Sequence, residues 1–169
     1  MELTEVSYIV LALIEEAGEV TPYDLKKMTG SFSGLWALRH DQVYREPERL
    51  AAAGLLSERR EDGGRRRRRF RLTKAGREAL REWRRTPTSE FTELRDPGLL
   101  RLLFGAEPEP LAEVQLVAHQ ERLAEYEGYA EQLNVDTPMA VRRALNAGIG
   151  HEREYVRFWR SVLNGEDGS

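Results

Sequence analysis

Residues 55–76, LLSERREDGGRRRRRFRLTKAG, contain the pattern that decides the fold. Two strand-length segments lie on either side of Asp62-Gly63-Gly64, and these three residues tolerate the positive φ angles of a tight turn. Thr73 follows the second segment and can cap a helix through its hydroxyl. The stretch therefore predicts a β-hairpin that leads into a helix ending near Arg85. The residues expected on the buried side of that helix are Leu72, Ala75, Ala79, Leu80 and Trp83.

Two helices are predicted at the start of the chain. Between Leu3 and Ala17, apolar residues recur every three or four positions, which is the period of a helix with one buried face, and Gly18 ends the pattern. Thr21-Pro22-Tyr23-Asp24 then combines an N-cap hydroxyl, a proline at the first helical position and an early acid. This combination predicts a short second helix that ends near Thr29.

The segment ALRHDQVYREPERLAAAG, residues 37–54, predicts a third helix. Pro47 conflicts with a regular helix because its ring clashes with the preceding turn and its nitrogen donates no hydrogen bond. We therefore expect the helix to kink near residues 43–46 or to start late. The residues expected to face inward are Leu38, Val43, Leu50 and Ala53. The order helix, helix, helix, hairpin, helix is that of a winged helix-turn-helix, which we assign to residues 1–86.

Charge is distributed unevenly along the chain. Residues 1–86 hold 18 Lys and Arg against 14 Asp and Glu, a net charge of +4, whereas residues 87–169 hold 8 against 15, a net charge of −7. A polyanion is attracted to the first segment and repelled by the second. For a helix-turn-helix, the polyanion that this charge favours is double-stranded DNA.

The predicted hairpin concentrates the positive charge. Eight arginines lie between Arg59 and Arg71, around Glu61 and Asp62, and such a cluster repels itself unless a polyanion neutralises it. A solvated basic loop is the alternative interpretation. The third helix adds donors for base edges in the major groove, and Tyr44 either reaches a phosphate or packs beneath the hairpin. The predicted DNA-binding residues are Thr21, Tyr23, Arg39, His40, Gln42, Tyr44, Arg45, Arg65, Arg66, Arg67, Arg68 and Arg69.

Four motifs in residues 6–85 resemble the PadR family of transcriptional regulators. They are Pro22-Tyr23-Asp24-Leu25, the stretch Trp36 to Leu50 with Gln42-Val43-Tyr44, the exit Arg49-Leu50 to Gly54-Leu55, and Leu72-Thr73-Lys74-Ala75-Gly76. The likeness extends more weakly through residues 96–105 and His151-Glu152-Arg153. The resemblance implies a winged-helix DNA-binding domain followed by a helical dimerisation domain, and often a repressor that a small molecule releases. Pro47 departs from the family pattern, in which this position is usually aliphatic.

Residues 87–169 are predicted to form a helical dimerisation domain. Asp96-Pro97 supplies a cap and a first-turn proline for a short helix ending at Gly105, and two amphipathic helices follow over residues 110–134 and 137–163. Because these helices cannot easily bury their apolar stripes on each other, a second copy and residues 3–14 are expected to cover them. A homodimer would meet two half-sites about 34 Å apart in a pseudo-palindromic operator. The inward residues would be Leu111, Val114, Val117, Leu123, Tyr126, Leu133, Val141, Leu145, Ile149, Val156, Trp159 and Leu163.

Aromatic residues in both halves suggest an effector site. An apolar cavity with a few polar groups is the usual binding site for a small molecule. The same residues also suit an ordinary hydrophobic core, and no particular effector follows from them. The residues that would line the cavity are Tyr8, Trp36, Trp83, Tyr126, Tyr155 and Trp159.

The sequence argues against an enzyme. It contains no cysteine, which excludes disulfides and thiolate chemistry and is typical of a cytoplasmic protein. No glycine-rich phosphate loop is present, His40, His119 and His151 lack metal-ligand spacing, and no cofactor is expected. The first residues lack the features of a signal peptide or a membrane span. Two alternatives stay open: a metal-responsive regulator that uses His119 with glutamates, and a helical interaction module whose basic hairpin binds RNA or a protein.

Overall fold

The computed structural model describes residues 2–32, 38–60, 67–91 and 94–166. The described chain is mostly helical and contains a two-stranded antiparallel hairpin, which confirms the predicted fold class, and it divides into two compact units, Met1–Glu90 and Phe91–Ser169. The first unit contains α1 (Glu5–Ala17), α2 (Pro22–Met28), a 3-10 helix (Thr29–Phe32), α3 (His40–Ala52), β1 (Leu56–Arg60), β2 (Arg68–Leu72) and α4 (Lys74–Arg85). The second unit contains α5 (Pro97–Leu103), α6 (Pro108–Glu131) and α7 (Met139–Leu163). Within the described ranges, no helix has the length and apolar character needed to cross a membrane.

The first two helices begin at side-chain caps. At α2, the Thr21 amide and hydroxyl both donate to Asp24 Oδ2, at 2.9 and 2.8 Å, while the Asp24 amide donates to Thr21 Oγ1. At α1, the Thr4 amide donates to Ser7 Oγ at 2.9 Å. These bonds satisfy amides that otherwise lack partners at a helix start. Gly18 ends α1 with a φ of 79°, a conformation that glycine adopts without strain.

Helix α3 continues through Pro47. It begins at His40, so the alternative of a late start was wrong. Pro47 removes the hydrogen bond that an amide there would have donated to the Val43 carbonyl, four positions earlier. Its ring is fully buried, and the apolar surface that it removes from water offsets part of this loss. His40, Gln42 and Arg45, which were predicted to contact the DNA bases, therefore lie on the same helix as Pro47.

The hairpin pairs β1 with β2 over five residue pairs, starting at Leu56 opposite Leu72. Val20 adds a bridge at the other edge of β2. Its amide donates to the Phe70 carbonyl at 3.1 Å, and the Phe70 amide donates to the Val20 carbonyl at 2.8 Å. This bridge attaches the hairpin to the segment between α1 and α2. The predicted turn, Asp62-Gly63-Gly64, lies outside the described residues.

The core of the first unit lies where its helices meet the hairpin. Its buried apolar residues are Val10, Leu11, Leu13, Ile14, Val20, Leu25, Val43, Leu50, Leu56, Phe70, Leu72 and Leu80. Some residues that were expected to face inward are exposed instead, namely Ala17, Ala53, Ala75 and Trp83. Ala17 lies in the last turn of α1, and Ala53 lies just after α3. The helical period alone does not show that the element which would cover such a residue has already ended.

Helix α4 lies close to the hairpin because position 76 is glycine. A Cβ added to Gly76 would lie 2.2 Å from the carbonyl oxygen of Leu55. Thr73 supports the same close approach by donating its hydroxyl to that carbonyl at 3.0 Å. Gly76 and Leu80 therefore form the buried side of α4. Leu72 and Leu80 are buried as predicted, whereas Ala75 and Trp83 are exposed and the unpredicted Gly76 is buried.

In the second unit, α6 packs along α7 as an antiparallel helix pair. Asp96 caps α5 by accepting hydrogen bonds from two backbone amides at 2.7 and 2.9 Å, as the sequence predicts. Helix α6 starts two residues earlier and ends three residues earlier than predicted, and α7 starts two residues later than predicted but ends at Leu163 as predicted. Three of the residues predicted to face inward are buried, namely Ile149, Val156 and Trp159. Three others are exposed in the single chain, namely Val114, Val117 and Val141.

Candidate nucleic-acid interface

Helix α2 presents Tyr23 to solvent. This residue is 58% exposed, and Lys27 Nζ lies 4.7 Å from the centre of its ring. Lys26 is exposed on the same helix. Thr21, which was predicted to bind DNA beside Tyr23, is buried, and its hydroxyl serves the cap of α2. Our sequence reasoning missed the two lysines, although two adjacent basic residues in the last turn of a helix-turn-helix element were visible in the sequence.

The start of α3 carries exposed basic side chains. Arg39, His40 and Arg45 are all exposed, and Arg39 Nε lies 3.4 Å from Asp41 Oδ1. The His40 ring tilts against the Tyr44 ring, with 4.8 Å between their centres. Tyr44 itself is half-buried and packs against the core. The exposed groups can donate hydrogen bonds to base edges or phosphates, whereas the Tyr44 ring also supports the helix from below.

Gln42 completes the N-terminal cap of α3. The Arg39 amide donates to Gln42 Oε1 at 2.9 Å, which is one half of a capping box. The side-chain NH₂ of Gln42 can still donate to acceptors such as the guanine O6 and N7 atoms. Two-point recognition of adenine would use the same oxygen as an acceptor. Gln42 therefore has a structural role that the sequence analysis did not assign to it.

Two hairpin arginines share one acid on the outer face of the hairpin. Arg59 and Arg69 lie directly opposite each other in the strand pair. Their guanidinium nitrogens lie 3.3 and 4.0 Å from Glu19 Oε2. Like charges placed opposite each other destabilise a strand pair, so Glu19 offsets part of their repulsion.

Arg68, on the other face of the hairpin, contacts several protein groups. Its Nε and Nη2 each donate to Glu58 at 2.7 Å, Nη1 donates to Glu48 of α3, and the guanidinium lies 5.5 Å from the centre of the Phe70 ring. Arg60 adds a hydrogen bond to Glu58 at 3.2 Å. The hydrogen bonds from Arg68 hold the pKa of Glu58 below its ordinary value. The carboxylate therefore stays charged at neutral pH.

Arg67 is exposed and differs from its neighbours in the hairpin. Among the residues that the structure describes, it has no acid within ion-pair distance. Arg65 and Arg66, which were predicted to bind DNA with it, lie outside the described residues, as does Trp36 of the predicted effector site.

Arg49 connects α3 to α1, a role that the sequence analysis missed. Its Nε donates to Glu46 Oε2 at 2.9 Å, and its Nη2 donates to Ser7 Oγ at 2.7 Å. Burial raises the pKa of Glu46, but the hydrogen bonds from Arg49 and Ser7 outweigh it and hold the pKa below the ordinary value. The contact between Arg49 and Ser7 joins residues that are 42 positions apart in the sequence, so no local sequence pattern could have predicted it.

The predicted effector residues lie in both units. In the first unit, Tyr8 and Trp83 stack with 4.9 Å between ring centres. In the second unit, the Tyr126 ring packs over Gly148, where an added Cβ would lie 3.1 Å from the ring. The first contact joins two of the predicted effector residues, whereas the second places one of them against the backbone of α7.

The second unit also contains a buried polar cluster. His119 Nδ1 and Glu152 Oε2 are 2.6 Å apart, and Tyr155 packs between the rings of His119 and His151. Burial is the main reason that the pKa of Tyr155 is raised. Trp159 Nε1 is buried without a hydrogen-bond acceptor in the described part of the chain. The described residues bring together no three His, Asp or Glu side chains that could hold a metal ion.

Comparisons with known proteins gave one family and several similar structures. Residues 10–82 match the transcriptional regulator PadR-like family. Bacillus subtilis PadR in complex with operator DNA has a TM-score of 0.82 and 22% identity, covering 97% of this chain and 100% of that chain. The same regulator in complex with p-coumaric acid has a TM-score of 0.79 and 21% identity, covering 96% of this chain and 99% of that chain. The Vibrio cholerae virulence activator AphA has a TM-score of 0.70 and 22% identity, covering 95% of this chain and 97% of that chain. The comparison with curated proteins gave no match.

The structural likeness, at identities below 25%, shows the fold, and the sequence match shows what residues 10–82 resemble. The matched residues 10–82 run from α1 to α4 and include the helix-turn-helix and the hairpin. Residues 10–82 therefore have the sequence features of the transcriptional regulator PadR-like family, and over nearly its whole length the chain has the fold of solved PadR structures.

Proposed function

We propose that the protein binds a pseudo-palindromic operator as a homodimer and represses transcription there. The observation that carries this proposal is that α2, the start of α3 and the hairpin, all in one unit, present exposed basic side chains. The related fold of Bacillus subtilis PadR, solved in complex with operator DNA, supports it. A protein that binds an operator acts on chromosomal DNA, so we keep the predicted cytoplasmic location as part of this proposal.

In this proposal α3 contacts the bases. In a helix-turn-helix, the second helix of the motif enters the major groove with its N-terminal residues towards the base edges. Arg45 is exposed and can form two hydrogen bonds with a guanine. His40, Arg39 and the NH₂ group of Gln42 provide further donors at the same end of the helix.

Helix α2 and the hairpin contact the phosphates. The exposed Tyr23 hydroxyl and the Lys27 ammonium can bind the DNA backbone, while Thr21 holds the start of α2 in place through its cap. The hairpin arginines add charge next to the groove. Phosphate contacts of this kind supply affinity and a strong dependence on salt, whereas the base contacts supply sequence preference.

The apolar surface of the second unit supports a homodimer. The exposed apolar side chains of α6 and α7 include Val114, Val117 and Val141, and Val114 is 66% exposed. Val114 and Val117 lie about one turn apart on α6, and an exposed apolar patch on a protein surface often marks a protein–protein interface. A second copy would cover them, and two equivalent DNA-binding units would then favour an operator with two related half-sites.

A small aromatic acid is the effector class that we propose. Bacillus subtilis PadR, which shares this fold, has been solved in complex with p-coumaric acid. The second unit of this chain contains Tyr126, Tyr155 and Trp159, and the buried Trp159 Nε1 is an unused donor within the described residues. Aromatic walls with a few polar groups suit such a ligand.

Selection of genomic fragments by the purified protein tests DNA recognition. The parent and a variant with Arg65, Arg66 and Arg67 replaced by alanine are each incubated with fragments at near-physiological salt, and the retained DNA is sequenced. We expect the parent to enrich an inverted repeat and the variant to retain little DNA. Equal retention of all fragments by the parent would instead favour an interaction module that binds nucleic acid without sequence preference.

A further inference from the structure

The geometry of Arg68 separates it from the other hairpin arginines. It is the last described residue of the strand pair, opposite Arg60, on the face of the hairpin that also carries Leu56, Phe70 and Leu72. Its guanidinium stacks over Phe70, which is fully buried. The side chain is 31% exposed, so most of it already lies against the protein.

Two carboxylates from different elements bind this guanidinium. Glu58 of β1 accepts two hydrogen bonds from Arg68 at 2.7 Å, in the two-point geometry that is the strongest form of this ion pair. Glu48 of α3 accepts a third. Arg68 therefore joins β1, β2 and α3 through one side chain. Three of its five N–H donors are thereby used within the protein, which leaves at most two for a phosphate.

An open groove lies between α3 and the hairpin where this contact forms. Its volume is about 730 Å³, and its lining includes Arg45, Leu56 and the three members of the Glu48–Arg68–Glu58 cluster. Apolar packing does not fill this space. The ion pairs therefore connect the outer part of the hairpin to α3 at a point where core contacts do not.

We propose that Arg68 is a positioning residue that fixes the hairpin relative to α3, and that it is not a phosphate ligand. Arg67, exposed beside it, contacts phosphate instead. This assignment rests on the proposed DNA-binding function and revises the prediction that all five arginines from 65 to 69 bind DNA directly. If α3 lies in the major groove, the cluster decides whether the hairpin can reach the DNA backbone at the same time.

Salt-dependent DNA binding distinguishes the two roles. The association constant is measured at several salt concentrations for the retained genomic fragment and for a random duplex of equal length. Replacing Arg67 by alanine should reduce the slope of log K against log salt by about 0.9, because one phosphate contact is lost. Arg68→Lys keeps the charge but cannot form the two-point contact with Glu58. We expect this variant to keep the parent's slope on the random duplex, where α3 is not fixed in a particular groove position, and to lose about tenfold in preference for the selected fragment over the random duplex.

The opposite result would overturn the proposal. If Arg68 bound phosphate, Arg68→Lys would keep the parent's preference, and Arg68→Ala would reduce the slope by about 0.9 as Arg67→Ala does. Unchanged binding of the random duplex by Arg68→Lys serves as the control for folding.

A measurement without DNA keeps the inference testable if the proposed function itself fails. Thermal unfolding of Arg68→Ala, Glu48→Gln and the double variant forms a double-mutant cycle. We expect the shift in Tm of the double variant to be smaller than the sum of the two single shifts. Additive shifts would show that Arg68 and Glu48 are not coupled, and would reject the positioning role independently. Failure of the parent to select any DNA would reject only the proposed function.

Discussion

Polar side chains near the proposed DNA surface differ in how much the protein itself uses them. Gln42 and Arg68 both looked like free donors in the sequence, yet Gln42 accepts the Arg39 amide and Arg68 binds two carboxylates. Arg45 and Arg67 are exposed and carry no such contact among the described residues. The exposed pair is therefore better suited to a partner molecule.

Replacing Gln42 by alanine should destabilise the protein as well as change its preference among DNA sequences. Loss of the capping contact should lower the free energy of unfolding by about 0.5–1 kcal/mol. Arg45→Ala is the matched control, because Arg45 is exposed on the same helix and makes no cap. It should weaken DNA binding without changing stability. Chemical denaturation and binding to the selected fragment measure both effects, and equal stability of Gln42→Ala and the parent would contradict the capping role.

The pH dependence of stability should reveal the pairing of Glu46 with Arg49. The pKa of Glu46 is held below its ordinary value of 4.5 in the folded protein, so this pairing stabilises the fold at higher pH. The contribution should disappear as the pH falls from about 4.5 through the lower folded pKa. We expect the difference in Tm between the parent and Glu46→Gln to shrink over this range. A difference that stays constant between pH 6 and about pH 3 would contradict this assignment.

Helices and strands of this chain begin where local signals place them, but their buried faces depend on neighbours. The caps at Thr21, Thr73 and Asp96 were readable because a hydroxyl or carboxylate bonds to amides two or three residues later. On α4 the burial of Leu80 was predicted, but that of Gly76 was not, because Gly76 faces the Leu55 carbonyl and no helical period indicates that contact.

Replacing Gly76 by alanine should lower the free energy of unfolding by about 1–3 kcal/mol, because the new Cβ forces α4 away from the hairpin. Gly128→Ala in α6 is the control, since a Cβ there meets nothing within 4 Å. This variant should gain roughly 0.5–1 kcal/mol from the higher helix propensity of alanine. Denaturation in urea compares the two variants, and a stable Gly76→Ala protein would show that the helix can move without cost.

The whole molecule combines a basic first unit with an acidic second unit that has exposed apolar side chains on α6 and α7. Residues 1–86 carry a net charge of +4 and residues 87–169 a net charge of −7. DNA should therefore approach the first unit, leaving the second for protein contacts. This distribution agrees with the dimeric regulator that we propose.

Introducing a charge on the exposed apolar face of α6 should separate the proposed dimer. Val114→Glu is expected to shift the protein to monomer in analytical ultracentrifugation and to weaken binding to the inverted repeat by at least tenfold, because the monomer engages one half-site. Gln120→Glu adds the same charge at an exposed polar position of α6 and should stay dimeric. A parent that sediments as a monomer at all concentrations would reject the dimer directly.

The sequence by itself determined the order of elements, the hairpin, the caps at Thr21, Thr73 and Asp96, the winged-helix fold and the candidate DNA-binding set. These features follow from period, turn chemistry and charge, which act over a few residues. Only the tertiary structure decided which members of that set the protein uses itself. Arg68 meets Glu48 and Arg49 meets Ser7 across 20 and 42 positions, and such contacts depend on how the elements pack. Packing also allowed Pro47 to remain inside α3, because burial of its ring offsets part of the lost hydrogen bond.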